Sequence, residues 1–161
     1  MQTKEIVTRL DVYNDSGELP ADEEELLSLA RRATRNAYAP YSGFQVGAAI
    51  RLADGTLVSG TNQENASYPA GLCAERVALS AASAMYPGVP VTALAVAYFN
   101  QRGNNDRPIS PCGICRQTLA EYQQRSGKPI RIILGGGSGE VFALAEATGL
   151  LPLAFTSEEL K

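Results

Sequence analysis

The sequence contains no histidine, and its whole thiol content is three cysteines. Without a fourth cysteine or a histidine, a structural metal site closed by four such ligands is not available. An odd cysteine count without an export signal argues against a disulfide framework and leaves metal binding or redox chemistry. No stretch approaches the ~20 apolar residues of a membrane span. The opening MQTKEIVTRLDVYNDSGE is too polar for a signal peptide, so the expected location is cytoplasmic, with no membrane partner. Excess positive charge is absent as well. The 14 Lys+Arg stand against 17 Asp+Glu with both signs scattered, so no basic face and no nucleic acid polymer as partner is expected. At 161 residues the chain has the length of one domain, 1–161, and is long enough to bury roughly 70% of its unfolded surface.

Residues 1–20 mix polar positions with a short apolar run and read as an arm or extra strand. Asp22 is a candidate cap for a helix over about 23–37, in which Leu26, Leu29, Ala30, Ala33 and Ala37 recur at helical spacing before Pro40. Two β-rich runs, 44–50 and 56–61, flank Asp54-Gly55 and predict a hairpin. A helix over 74–86 stops at Pro87-Gly88, and Val91 to Tyr98 forms an apolar strand. A polar loop over 100–110, a helix over 112–125 closed by Gly127 and a strand over 130–134 come next. A short strand near 140–144 and a short helix near 145–151 lead into the tail. A hairpin followed by alternating helices and strands predicts an α/β fold, a three-layer α/β/α sandwich with one mixed sheet.

The cysteines fall as Cys73-Ala74-Glu75 and Pro111-Cys112-Gly-Ile-Cys115. Cys112 and Cys115, three apart at a helix start, share a face on which one cation binds both sulfurs. The free N–H groups there and the helix dipole favour thiolates. A redox Cys-x-x-C pair is the alternative. Cys73 opens the other helix, so two helix N-termini can converge on one zinc ion with three sulfur ligands and an open fourth position. Water is the expected occupant of that position; Glu75 as a fourth ligand of a structural site is the alternative. Zinc makes water far more acidic, and Glu75 is the adjacent carboxylate able to take the proton and deliver it later. On a regular helix Cys73 and Glu75 would point about 200° apart, so Cys73 is expected at the non-helical entrance. Glu75 as a simple partner of the helix dipole remains open. Three thiolates leave the zinc site negative, and Arg76 and Arg116, with Gln117 more weakly, are candidates to offset that charge from outside the ligand set; solvated helix arginines are the alternative.

Ala39-Pro-Tyr-Ser-x-Phe44-x-Val-Gly-Ala-Ala49, Asn62-Gln-Glu64-Asn65, Cys73-Ala-Glu75-Arg76 and Pro111-Cys112-Gly-Ile-Cys115-Arg-Gln117 together resemble the small cytidine deaminases of pyrimidine salvage. The resemblance runs over about residues 23–160 and implies hydrolytic deamination of cytidine and deoxycytidine to the uridines with release of ammonia. It implies one Zn²⁺ per chain on Cys73, Cys112 and Cys115, with Glu75 as the catalytic acid and base, chemistry established for zinc nucleobase deaminases generally. It also implies that Asn62 and Glu64 hold the ribose hydroxyls, that Phe44 and Ala74 lie against the substrate, and that Phe155 in Leu-Pro-x-Ala-Phe covers the base from a neighbouring subunit of a homotetramer. Strand-end turn chemistry for Asn62 and Glu64, and core packing for Phe44 and Phe155, are the plainer roles. The arm, the 100–107 loop and Gly135-Gly136-Gly137 depart from the family pattern. The loop is expected to be a surface insertion and the glycines a turn with close backbone approach. A deaminase of a modified cytosine nucleoside such as blasticidin S, a protein retaining zinc for structure alone and a thiol oxidoreductase are the competing functions.

Overall fold

The computed structural model describes residues 1–160. Its strands are β1 (Asp11–Tyr13), β2 (Phe44–Leu52), β3 (Leu57–Thr61), β4 (Val91–Asn100), β5 (Arg131–Gly135) and β6 (Val141–Leu144). The α-helices are α1 (Ala21–Ala33), α2 (Ala74–Met85) and α3 (Gly113–Ser126). All six strands join one mixed sheet in the order β1-β6-β5-β4-β2-β3. Its one parallel pair, β4 with β5, is the pair whose connection carries α3, as a parallel crossover requires. The arm supplies β1, which pairs antiparallel with β6 at the sheet edge.

Alternation along the central strands sorts the core into two layers. Leu94 and Val96 of β4, with Ile50 and Leu52 of β2, pack against Ala78, Leu79 and Ala82 of α2 and Leu119 of α3. Ala93, Ala95 and Ala97 point the other way, to Leu26, Leu27 and Ala30 of α1. This is the expected α/β/α sandwich. The small side chains beneath α1 let it come close to the sheet, and Gly47 takes the approach to its limit. A Cβ on Gly47 would lie 2.1 Å from the Ala30 carbonyl oxygen, and one on Gly60 would lie 2.4 Å from the Ala78 nitrogen of α2. Gly47→Ala is therefore expected to lower stability by about 1–3 kcal/mol through overpacking against backbone, read as an earlier urea midpoint at unchanged slope.

The hairpin turns at Asp54-Gly55 as expected, with Gly55 at φ 88°. Helix α3 ends at Gly127 in the left-handed conformation. Two details differ from the sequence reading. Helix α1 starts after Pro20, without a side-chain cap, and gives way to a 3-10 turn at Thr34–Asn36 instead of running to 37. Asp22 sits inside the first turn, where its carboxylate pairs with Arg51 at 2.5 Å, so cross-layer charge pairing takes the side chain that the cap would have used. The expected helix near 145–151 is a single 3-10 turn, Ala147–Leu150. The Gly135–Gly137 turn is a close backbone approach: a Cβ on Gly136 would lie 2.3 Å from the Asn105 carbonyl oxygen. The 100–107 loop thus packs against that turn. No helix among the described residues is long and apolar enough to cross a membrane.

Candidate active site

Cys73 is the N-cap of α2 with extended backbone (φ −77°, ψ 149°), and Cys112 is the N-cap of α3 (φ −67°, ψ 167°). Both sulfurs thus stand at the non-helical entrances of their helices. Cys115 follows one turn into α3 and is fully buried. The Sγ atoms of Cys73 and Cys112 are 3.6 Å apart, as are those of Cys112 and Cys115, and all three lie within 4.8 Å of one another. Tetrahedral zinc with Zn–S bonds near 2.3 Å sets its sulfurs about 3.8 Å apart, so the donor set fits that ion in both element and spacing. No disulfide links them; all three thiols are free.

Their mutual hydrogen bonds divide the protons unequally. Hydrogen bonding with Cys115 holds the Cys73 thiol down at about 6, with Cys112 and Arg76 adding to the effect against burial and the Glu75 carboxylate. Cys115 is pushed up because it supplies that hydrogen bond, and burial and nearby negative charge act in the same direction. A lowered Cys73 pKa suits the thiolate that a metal ion would require. Glu75 is only 4% exposed. Burial raises its carboxyl pKa, while its own backbone N–H and the Cys115 thiol pull it the other way. A buried carboxyl so placed is suited to carry a proton.

These groups open onto a cavity of about 380 Å³ whose lining includes Val46, Asn62, Glu64, Ala74, Glu75 and Cys112. Asn62 is fixed by β2, accepting from the Val46 N–H at 2.7 Å and donating to the Phe44 carbonyl at 2.9 Å. Glu64 is fixed by the Pro-Tyr-Ser turn, accepting from Ser42 Oγ at 2.5 Å and the Tyr41 N–H at 2.9 Å. The Ser42 hydroxyl accordingly leads the causes that lower the Glu64 pKa. Sequence reasoning missed Ser42 as that partner. It also missed Tyr68, Leu72, Ile109 and Ser110 among the lining residues. For Ser42 the available signal was the Ala39-Pro-Tyr-Ser motif itself.

Other expected site residues lie elsewhere. The Phe44 ring stacks on Tyr98, centroids 4.9 Å apart and planes at 12°, and does not line the cavity. Phe155 also lies outside the lining and is 59% exposed, its carbonyl accepting from Gln117 Nε2 at 2.7 Å. Arg116 donates to no sulfur. Its Nε donates to the Pro111 carbonyl at 2.8 Å and its Nη1 to the Leu150 carbonyl at 3.3 Å, because these loop carbonyls have no partner in a helix or sheet. Arg76 reaches Cys73 through charge alone.

Residues 20–127 match the family model of the cytidine and deoxycytidylate deaminase zinc-binding region, so fold and site together define a zinc-binding deaminase class. Over 86% of the chain, the sequence is 40% identical to a cytidine deaminase of Halalkalibacterium halodurans, covering 98% of that protein. A Sporosarcina psychrophila cytidine deaminase is likewise 40% identical over 86% of the chain and 95% of its own length. Among solved structures, a cytidine deaminase from Burkholderia pseudomallei superposes with a TM-score of 0.71 at 40% identity, over 81% of this chain and 97% of that one. One from Mycobacterium tuberculosis gives 0.64 at 32% identity, over 84% and 98%. The chain belongs to the cytidine deaminase family and is an enzyme of that family.

Proposed function

We propose that the protein hydrolyses cytidine and deoxycytidine to uridine and deoxyuridine, releasing ammonia. The observation that carries this reading is a buried Glu75 carboxyl beside three converged sulfurs, on the wall of a cavity that Asn62 and Glu64 also line. Cys73, Cys112 and Cys115 would hold one zinc ion per chain. When bound, zinc supplies the Lewis acidity that makes water a nucleophile near neutral pH.

The chain's own groups do the rest. Glu75 takes a proton from the attacking water and delivers it to N3 of the base, then takes the second proton from the new hydroxyl on C4 and passes it to the departing amine as the C4–N bond breaks. Ala74 lines the cavity at the entrance of α2, where first-turn N–H groups lack helical partners and face the base. Asn62 and Glu64 meet the ribose hydroxyls with the hydrogen-bonding capacity their turn contacts leave free, since each carboxylate oxygen accepts more than one bond. Arg76 offsets thiolate charge at Cys73. Arg116 and Gln117 act further out, by holding the carbonyls of Pro111 and Phe155. Phe44 supports the sugar end of the cavity through β2, whose Phe44 carbonyl Asn62 grips.

The whole chain acts as one domain, in the cytoplasm and in pyrimidine salvage. The active assembly is a homotetramer in which Phe155 covers a neighbour's base. Exposed Phe155, Ile114, Leu72 and Tyr68 support such an assembly, because apolar groups of this size gain from burial against another copy. Loss of the cytidine ultraviolet band, followed side by side with deoxycytidine and blasticidin S, tests the substrate. Turnover of both ordinary nucleosides is expected. Turnover of blasticidin S alone would reassign the substrate, and no turnover by zinc-loaded protein would remove the catalytic reading.

A further inference from the structure

The N-terminal arm precedes residue 20, where the deaminase match begins, yet it shares a cavity lining with Ser110 and Arg116, on either side of the Pro111-Cys112 turn. Its strand β1 pairs with β6, and Arg131 of β5 locks it down by pairing with Asp11 at 3.1 Å and Glu23 at 3.0 Å. Just before the strand, Thr8 donates from Oγ1 to the Gly149 carbonyl at 3.1 Å. The arm rests directly on that residue, since a Cβ on Gly149 would lie 3.5 Å from Thr8 Cγ2. Leu150, the next residue, offers its carbonyl to Arg116 Nη1 at 3.3 Å, and the same guanidinium donates from Nε to the Pro111 carbonyl at 2.8 Å. Pro111 is joined to Cys112. Beneath the arm lies a cavity of about 350 Å³ lined by Thr8, Leu10, Ser110, Arg116 and Leu150, among others. Ser110 also lines the Glu75 cavity, so the segment leading to Cys112 is the partition between the two.

We propose that the arm is a strap on the metal site, in which Thr8, acting through Gly149-Leu150 and Arg116, is a positioning residue for the Cys112 turn. The proposal rests on the zinc site described above. Arg116 holds the turn from two anchors, Pro111 and Leu150, and only the Leu150 anchor is tied to the arm. With Thr8 unable to donate, the Ala147–Leu150 turn is freer to shift, Arg116 keeps one firm anchor, and the ligand turn opens more often. Metal then escapes faster, while the sugar-binding end of the cavity, built on β2 and β3, is unaffected.

Release of zinc from loaded full-length protein to excess chelator, followed with a zinc-sensitive dye, tests the strap. Thr8→Val keeps the shape and removes the donor, and is expected to speed release about two- to tenfold, the size of one net hydrogen bond, with KM for cytidine unchanged. Thr8→Ser should keep the wild-type rate. In an Arg116→Lys background Thr8→Val should add little, because the relay is already cut and coupled residues are non-additive. Ile50→Val, a core change away from this path, lowers stability without accelerating release. Wild-type release from Thr8→Val, or equal acceleration by Ile50→Val, would overturn the strap. Wild-type protein that holds no zinc would overturn both the strap and the zinc site, whereas zinc-loaded protein without deaminase activity would remove the proposed function alone.

Discussion

Glu75→Gln is expected to lower kcat for cytidine by about 10²–10⁴-fold, the usual contribution of a positioned acid and base, while the zinc content stays at the wild-type level. The replacement is nearly isosteric, so the buried site at the start of α2 keeps its volume. What disappears is the capacity to take and return a proton. Because Glu75 is a proton carrier in this reading and not a ligand, metal content separates the two roles the sequence left open. Loss of zinc in Glu75→Gln would make it a ligand, and unchanged kcat would make it a dipole partner. KM should change little, since the proposed ribose contacts lie at Asn62 and Glu64. Metal analysis and steady-state kinetics on one preparation are sufficient.

Cys115→Ser is the second large effect. Cys115 is fully buried in the first turn of α3, and a hydroxyl there is a poor zinc ligand that stays protonated. Zinc affinity is expected to fall by more than about 100-fold, beyond the loss caused by removing an outer partner of a ligand, and deaminase activity should fall to background. Stability should fall too. Cys73 and Cys112 stand at the N-caps of α2 and α3, and neither side chain makes a capping hydrogen bond. Ser, Thr, Asp or Asn in those places would contribute about 1 kcal/mol each. In the proposed site the metal would replace that contribution by joining the two helix starts, so its loss would loosen both. Chelator competition and a thermal melt check this, and undiminished zinc in Cys115→Ser would refute the three-sulfur ligand set.

The parts of this reading that were legible in the sequence rest on short-range geometry. The three-position step from Cys112 to Cys115 places both sulfurs at one helix entrance, Asp54-Gly55 dictates its hairpin, and the β4 alternation separates two core layers. What was not legible depends on partners far along the chain. Ser42 meets Glu64 across 22 positions, Arg116 meets Leu150 across 34, and Gln117 meets Phe155 across 38. A polar side chain beside a motif invites assignment to that motif. Arg116 and Gln117 were instead taken up by loop carbonyls, whose positions only the folded chain defines. Asp22 reads as a cap for the same reason, because its alternative partner, Arg51, lies 29 positions away on β2.

Gly60 carries a consequence for any attempt to redesign the substrate range. A Cβ there would lie 2.6 Å from the Ala74 carbonyl oxygen, so the turn of α2 that bears Glu75 rests on the bare backbone of β3. The seat of Glu75 beside the cavity is thus set by a spacing between two main chains. There is no side chain on β3 to trim in order to admit a bulkier base, and none can be added without lifting Glu75 from its place. Room has to be found at the mouth, where Tyr68 and Leu72 stand exposed on the cavity wall.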